Sequence, residues 1–101
     1  MPKIVVLFNL KPGVAVADYE KFARETDLPI VNALPSINRF EALKATGTLG
    51  GAASPYQYIE IVDVKDMAQF GKDVATEQMK KVAGAFRELA DNPQFILTEH
   101  L

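Results

Sequence analysis

The chain predicts an α+β fold: two strand–helix–strand units in succession, βαββαβ, forming one four-stranded antiparallel sheet with helices on a single face. Three observations predict it. Apolar, β-branched runs alternate with segments of helical period. The second half repeats the element order of the first. The halves meet at a hairpin stretch of small residues, Gly47-Thr48-Leu49-Gly50-Gly51-Ala52-Ala53-Ser54-Pro55. With 101 residues, 1–101 form a single domain.

Lys3 to Leu10 is a continuous apolar run, the pattern of a strand buried on both faces. Lys11-Pro12-Gly13 breaks it. From Val16 to Thr26 the spacing turns helical: Tyr19, Phe22, Ala23 and Thr26 share one face, and Asp18, Glu20, Lys21, Arg24 and Glu25 point away. Asp27-Leu28-Pro29 interrupts that helix. A proline early in a helical turn needs no amide hydrogen, and an aspartate before it can cap free amides. Asp27 is therefore expected to start a short turn, Leu28 to Leu34, which Pro35 stops.

Ile37 to Thr46 reads as the second strand, with Ile37, Arg39, Glu41 and Leu43 on one side and Asn38, Phe40, Ala42 and Lys44 on the other. The third strand is Tyr56 to Val64, where Tyr56, Tyr58, Glu60 and Val62 alternate with Gln57, Ile59, Ile61 and Asp63. Asp66 opens a second helical region, with Met67, Phe70 and Val74 inward. Gly71 and the cap signal of Thr76 place a break near Val74. A longer helix then runs to Ala90 on the stripe Met79, Val82, Ala83, Phe86 and Leu89. Asp91-Asn92-Pro93 ends it, and Gln94 to Glu99 is the last strand.

Two such halves joined by a hairpin give the ferredoxin-like arrangement. Right-handed crossovers put the first and third strands at its centre. Helices cover only one face of the sheet. Leaving the other face in water is costly, at about 25 cal/mol per Å² of apolar surface. The economical solution is a homodimer with two identical sheets packed face to face.

Composition excludes several function classes. The net charge is −2 and the basic residues are mixed with acids, so no basic stripe for nucleic acid exists. The absence of cysteine removes disulfides, thiol nucleophiles and thiolate metal sites, and fits a cytoplasmic protein. Met1-Pro2-Lys3 leads straight into the first strand, whose apolar run ends at Asn9. Neither a signal peptide nor a membrane span is expected. One histidine, His100, and scattered carboxylates make no metal-ligand cluster and no Ser-His-Asp order. The loop from Gly47 to Gly51 lacks phosphate-cradle spacings. No metal or cofactor is expected.

Asp27 lies where the first helix turns back toward the sheet, a natural pocket mouth. It has two readings. One is a helix N-cap, which the frequency of aspartate at caps favours. The other is a carboxyl partly desolvated by Phe22, Leu28 and Ile30, with a raised pKa, working as acid or base. Phe22 is the matching apolar candidate for contacting a substrate. Tyr56 and Tyr58 could orient a substrate carbonyl or phenol, although packing is the commoner role for tyrosine. Asn9 interrupts an apolar strand and either points its amide into a cavity or marks a fraying end. Arg39 and Glu41 could bind an anion, but a surface ion pair is the commoner outcome. His100 is a usable proton carrier at neutral pH, placed where chains are often loosely held.

A family resemblance rests on Ile4-Val5-Val6-Leu7-Phe8-Asn9-Leu10-Lys11-Pro12-Gly13, Phe22-Ala23-Arg24-Glu25-Thr26-Asp27-Leu28-Pro29 and Leu34-Pro35-Ser36-Ile37. Pro55-Tyr56-Gln57-Tyr58 and the run from Asp91 to Glu99 extend it over nearly the whole chain. These segments resemble the RedY-like/HapK family of the dimeric α+β barrel superfamily. The resemblance implies a homodimer. Some members are encoded with prodiginine (red tripyrrole pigment) biosynthesis enzymes, which implies an accessory or small-hydrophobic-metabolite-binding role in secondary metabolism. The wider superfamily includes EthD-like proteins, monooxygenases, cyclases and lyases. Several of these act without metal or organic cofactor, in a pocket between sheet and helices. This implies the alternative of a cofactor-independent enzyme on an aromatic or polyketide-like substrate, with Asp27 as acid/base and Asn9, Tyr56 or Tyr58 orienting it. The EthD-like pattern has His-x-Pro where this chain has Asp27-Leu28-Pro29, so a histidine-based mechanism does not transfer.

Overall fold

A computed structural model describes residues 2–101. In chain order the elements are β1 (Lys3–Leu10), α1 (Val16–Phe22), a π-helical turn (Ala23–Asp27), α2 (Leu28–Asn32), β2 (Ile37–Lys44), β3 (Tyr58–Val64), α3 (Met67–Val74), α4 (Glu77–Leu89) and β4 (Ala90–Thr98). The strands make one antiparallel sheet in the order β2-β3-β1-β4. The architecture is the ferredoxin-like βαββαβ, with β1 and β3 central. Among the described residues no helix is long and apolar enough to cross a membrane.

Strand periodicity decides what meets the helices. On β1, Ile4, Val6, Phe8 and Leu10 are buried toward them, while Val5 and Leu7 on the opposite face are only half-buried. The expected burial of β1 on both faces is thus met on one face within the single chain. On β3, Tyr58, Glu60, Val62 and Val64 point inward in the same phase. Phe8, Tyr19, Phe40, Val64, Val82 and Phe86 form the centre of the core.

Three features depart from the sequence expectation. The first helix does not end at Asp27. The Leu28 amide donates to the Ala23 carbonyl five residues back, and the widened turn carries the helix on to Asn32. Pro29 lacks an N–H, and its ring would press on the carbonyl four residues earlier in a regular helix. One extra residue in the turn relieves that conflict. Asp27 therefore sits inside continuous helix (φ −67°, ψ −53°) and makes no cap hydrogen bond. The cap reading is overturned.

The second departure is in β2. Ile37 pairs with Val64, but Arg39 pairs with Asp63. The extra residue, Asn38, forms a bulge that reverses the phase, so Ile37 and Phe40 are both buried rather than on opposite sides. The third departure concerns strand limits. β2 ends at Lys44 rather than Thr46, and β3 starts at Tyr58, which leaves Tyr56 in the preceding loop. β4 starts at Ala90, directly after α4. It absorbs Pro93 beside a register shift opposite Phe8, where Asn92 takes φ 43°. A proline is tolerated there because β4 is an edge strand.

The other caps form as the spacing requires. Asp66 accepts from the Ala68 and Gln69 amides, and Thr76 accepts from the Met79 amide. Asp73 ties α3 to the corner before β2: its Oδ2 accepts from the Ser36 amide at 3.0 Å and its Oδ1 from Gln69 Nε2 at 2.9 Å.

Candidate functional site

Helices and sheet do not close completely on each other. An open cavity of about 310 Å³ remains between them. Its walls are apolar, with Ile4, Val6, Val62, Phe70, Met79 and Phe86 among them. Its polar side chains are Asp27, Glu60 and Arg87. Both carboxyls are deeply placed, each only 5% exposed, whereas Arg87 is exposed at the rim.

Asp27 is delivered by the π-helical turn. Widening the helix there changes the angle at which every following side chain leaves it, and such turns recur at functional sites. Glu60 is delivered by β3, whose inward phase places a carboxylate between Tyr58 and Val62. The Tyr19 hydroxyl of α1 donates to Glu60 Oε2 at 2.7 Å. Burial pushes Glu60 up to about 8; the negative charge of Asp27 adds to this, and the Tyr19 hydrogen bond opposes it. Burial alone pushes Asp27 up to about 6. The Tyr19 hydroxyl is held above its ordinary value by burial first and by Glu60 second, so it remains a donor. Near pH 7 the pair thus combines a largely ionised Asp27 with a largely protonated Glu60, a base beside an acid in an apolar wall.

Of the other residues singled out by sequence, Tyr58 comes nearest. Its ring is buried against Phe8 (centroids 5.8 Å apart, stacked) and Tyr19 (4.5 Å). Its hydroxyl, however, leads away from the cavity and donates to Glu20 Oε2 at 2.7 Å. Glu20 also receives Lys44 Nζ at 3.1 Å and Arg24 at 3.2 Å. The Tyr58 hydroxyl and the Lys44 ammonium hold Glu20 below the usual carboxylate range. Burial and the bond to Glu20 push Tyr58 up to about 12. This group borders a separate hollow of about 130 Å³.

Asn9 lies on the other face of β1 and staples a loop. Its Nδ2 donates to the Pro55 carbonyl at 3.1 Å and its Oδ1 accepts from the Gln57 amide at 2.9 Å. Gln57 Oε1 in turn accepts from the Leu10 amide at 2.7 Å. Tyr56 is half-buried in that loop. Phe22 borders a shallow groove with Thr26 and Ile30 on the helical side. Arg39 and Glu41 form an ion pair at 2.7 Å on the open face of the sheet, with Arg39 73% exposed, and His100 is exposed.

The cavity therefore gathers Asp27 but not Asn9, Phe22, Tyr56 or Tyr58. Glu60 and Tyr19 escaped sequence reasoning. The available signal was a glutamate in the inward phase of a central strand, where an aliphatic residue would pack. Among the described residues no group of three or more histidine, cysteine or acidic side chains could hold a metal ion.

A family model described as REDY-like protein HapK matches residues 2–101. HapK from Hahella chejuensis is 26% identical, with a TM-score of 0.82 over 100% of this chain and 93% of that one. SnoaB from Streptomyces nogalater, a cofactor-independent oxygenase, is 19% identical, with a TM-score of 0.78 over 99% and 92%. A dimeric ferredoxin-like protein of unknown function from Thermobifida fusca is 15% identical, with a TM-score of 0.74 over 98% and 90%. No curated protein matches the chain.

Proposed function

The chain belongs to the REDY-like HapK family, and from that premise we propose that it is a small homodimeric protein that binds a hydrophobic metabolite in the cavity between sheet and helices, in an accessory role in cytoplasmic secondary metabolism. One observation carries this reading: the apolar cavity reaches two buried carboxyls, one of which, Asp27, receives no cap hydrogen bond. An unpaired carboxyl buried only for packing would be a pure cost, whereas a ligand group can complete it. The homodimer is supported by the half-buried apolar side of the sheet and by the dimeric fold relative.

The test uses the neutral fluorescent probe N-phenyl-1-naphthylamine on the full chain. Saturable binding, one probe per chain, is expected, and it should disappear in Ala83→Trp, which fills the cavity from α4. Absence of saturable binding, or binding indifferent to that substitution, contradicts the reading.

A second reading is favoured by the juxtaposition of Asp27 near 6 with Glu60 near 8. It is a cofactor-independent enzyme on an aromatic or polyketide-like substrate, with Asp27 as acid/base. On this reading Asp27→Asn abolishes turnover and leaves N-phenyl-1-naphthylamine binding intact. Retained turnover refutes it.

A further inference from the structure

We propose that the cavity selects a flat apolar ligand bearing a protonated nitrogen, in preference to a neutral or acidic ligand of the same shape. The inference rests on the reading of the cavity as a ligand site and adds the charge class of the ligand.

Apart from the exposed Arg87 at the rim, every polar side chain lining the cavity is a carboxyl. Asp27 and Glu60 come from opposite layers, one from the helical side and one from the sheet. Neither takes part in an ion pair among the described residues. Asp27 is more than nine-tenths buried, lines the cavity and lacks a cap hydrogen bond. Glu60 has the Tyr19 hydroxyl on Oε2, which leaves acceptor capacity on its other oxygen.

A buried carboxylate without a cation is costly, and a bound cation removes the cost. Burial leaves about one negative charge on the pair at neutral pH, because Asp27 titrates near 6 and Glu60 near 8. A monocation therefore neutralises the site. A carboxylate ligand would add a like charge at close range, which costs more inside an apolar wall than in water. An alcohol can donate one hydrogen bond but leaves the charge uncompensated. Phe70 and Phe86 provide ring surface for a flat body and, at suitable geometry, for its cationic end.

Three probes of one shape separate the alternatives: 2-naphthylmethylamine, 2-naphthalenemethanol and 2-naphthoate, titrated at neutral pH into the full chain by calorimetry. The amine is expected to bind about tenfold more tightly than the alcohol, with naphthoate weakest. In Asp27→Asn, checked for native circular dichroism, the advantage of the amine over the alcohol should shrink, whereas Glu60→Gln, which resembles the protonated Glu60, should keep most of it. The three-probe comparison on the native chain stands without either variant. Equal affinities, or an advantage for naphthoate, overturn the charge inference and leave the cavity a ligand site. If none of the three binds at millimolar concentration, the underlying reading falls and the inference with it.

Discussion

Asp27 and Glu60 owe their chemistry to being buried without a cation, and Tyr19 is the one described side chain that hydrogen-bonds the pair. Replacing Tyr19 by Phe removes that donor. Glu60 should then titrate higher still, since the hydroxyl lowers its pKa, and the fold should lose about 1–2 kcal/mol, the usual cost of unpairing a buried acceptor. Carboxyl NMR titration and urea unfolding read the two effects separately; an unmoved Glu60 midpoint would contradict the assignment. Sequence offered Asp27 as either a helix cap or a desolvated carboxyl at a pocket mouth, and only the second agrees with its place on the cavity wall. Its position before Leu28-Pro29 suggested a cap, yet the same position made it a pocket carboxyl once the helix ran through. Glu60 was visible as an inward member of the Tyr58–Val62 alternation, but strand periodicity alone does not distinguish a buried glutamate from one at an edge. Asn9 read as a possible cavity residue because an amide in an apolar strand demands a partner. The partner is backbone at Pro55 and Gln57, a contact across 46 or 48 residues that no local pattern encodes.

At the scale of elements, the sheet order and every helix and strand were legible, because period-two and period-3.6 patterns alternate cleanly along this chain. Ladder irregularities were not. The Asn38 bulge and the register shift beside Pro93 depend on what faces them across the sheet. The π-helical turn depends on a clash that a proline creates four residues upstream. Caps mark the same boundary between local and non-local information. Thr76 was legible as a cap and Asp66 as the opening of a helix, and both side chains cap, so Asp66→Ala and Thr76→Ala should each cost about 1 kcal/mol in urea unfolding. Asp27→Asn, which caps nothing, should cost no stability by that route and should raise the melting temperature above pH 7, where the native side chain carries a buried charge. Asn can itself cap a helix, so the cap reading is tested by Asp27→Ala, where a loss of about 1 kcal/mol by that route would restore it.

For the whole molecule, the unfinished surface is the open side of the sheet. Val5, Leu7, Ile59 and Ile61 are half-buried there, and Ile96 is 45% exposed. Pairing two such faces predicts a sedimentation mass near twice the chain's 11.1 kDa at micromolar concentration and a monomer for Ile61→Lys, whose charge would lie within the seam. A native mass near one chain contradicts the dimer.

Global stability also carries the signature of the carboxyl pair. Both groups hold protons more tightly folded than unfolded, Asp27 near 6 against 3.8 and Glu60 near 8 against 4.5. Between these limits the folded state binds the extra protons, so their contribution to stability is present at low pH and is lost as pH rises through 6 and 8. Glu20, held low by Tyr58 and Lys44, contributes nothing in that window. The most direct measurement is therefore the unfolding free energy in urea at fixed protein concentration from pH 5 to pH 8, for the native chain and for Glu60→Gln. The expected result is a decline with rising pH on the order of 5 kcal/mol, most of it absent in the variant. A native chain that keeps or gains stability over that range, or a variant with the same slope, would show that the two carboxyls are not buried as a pair.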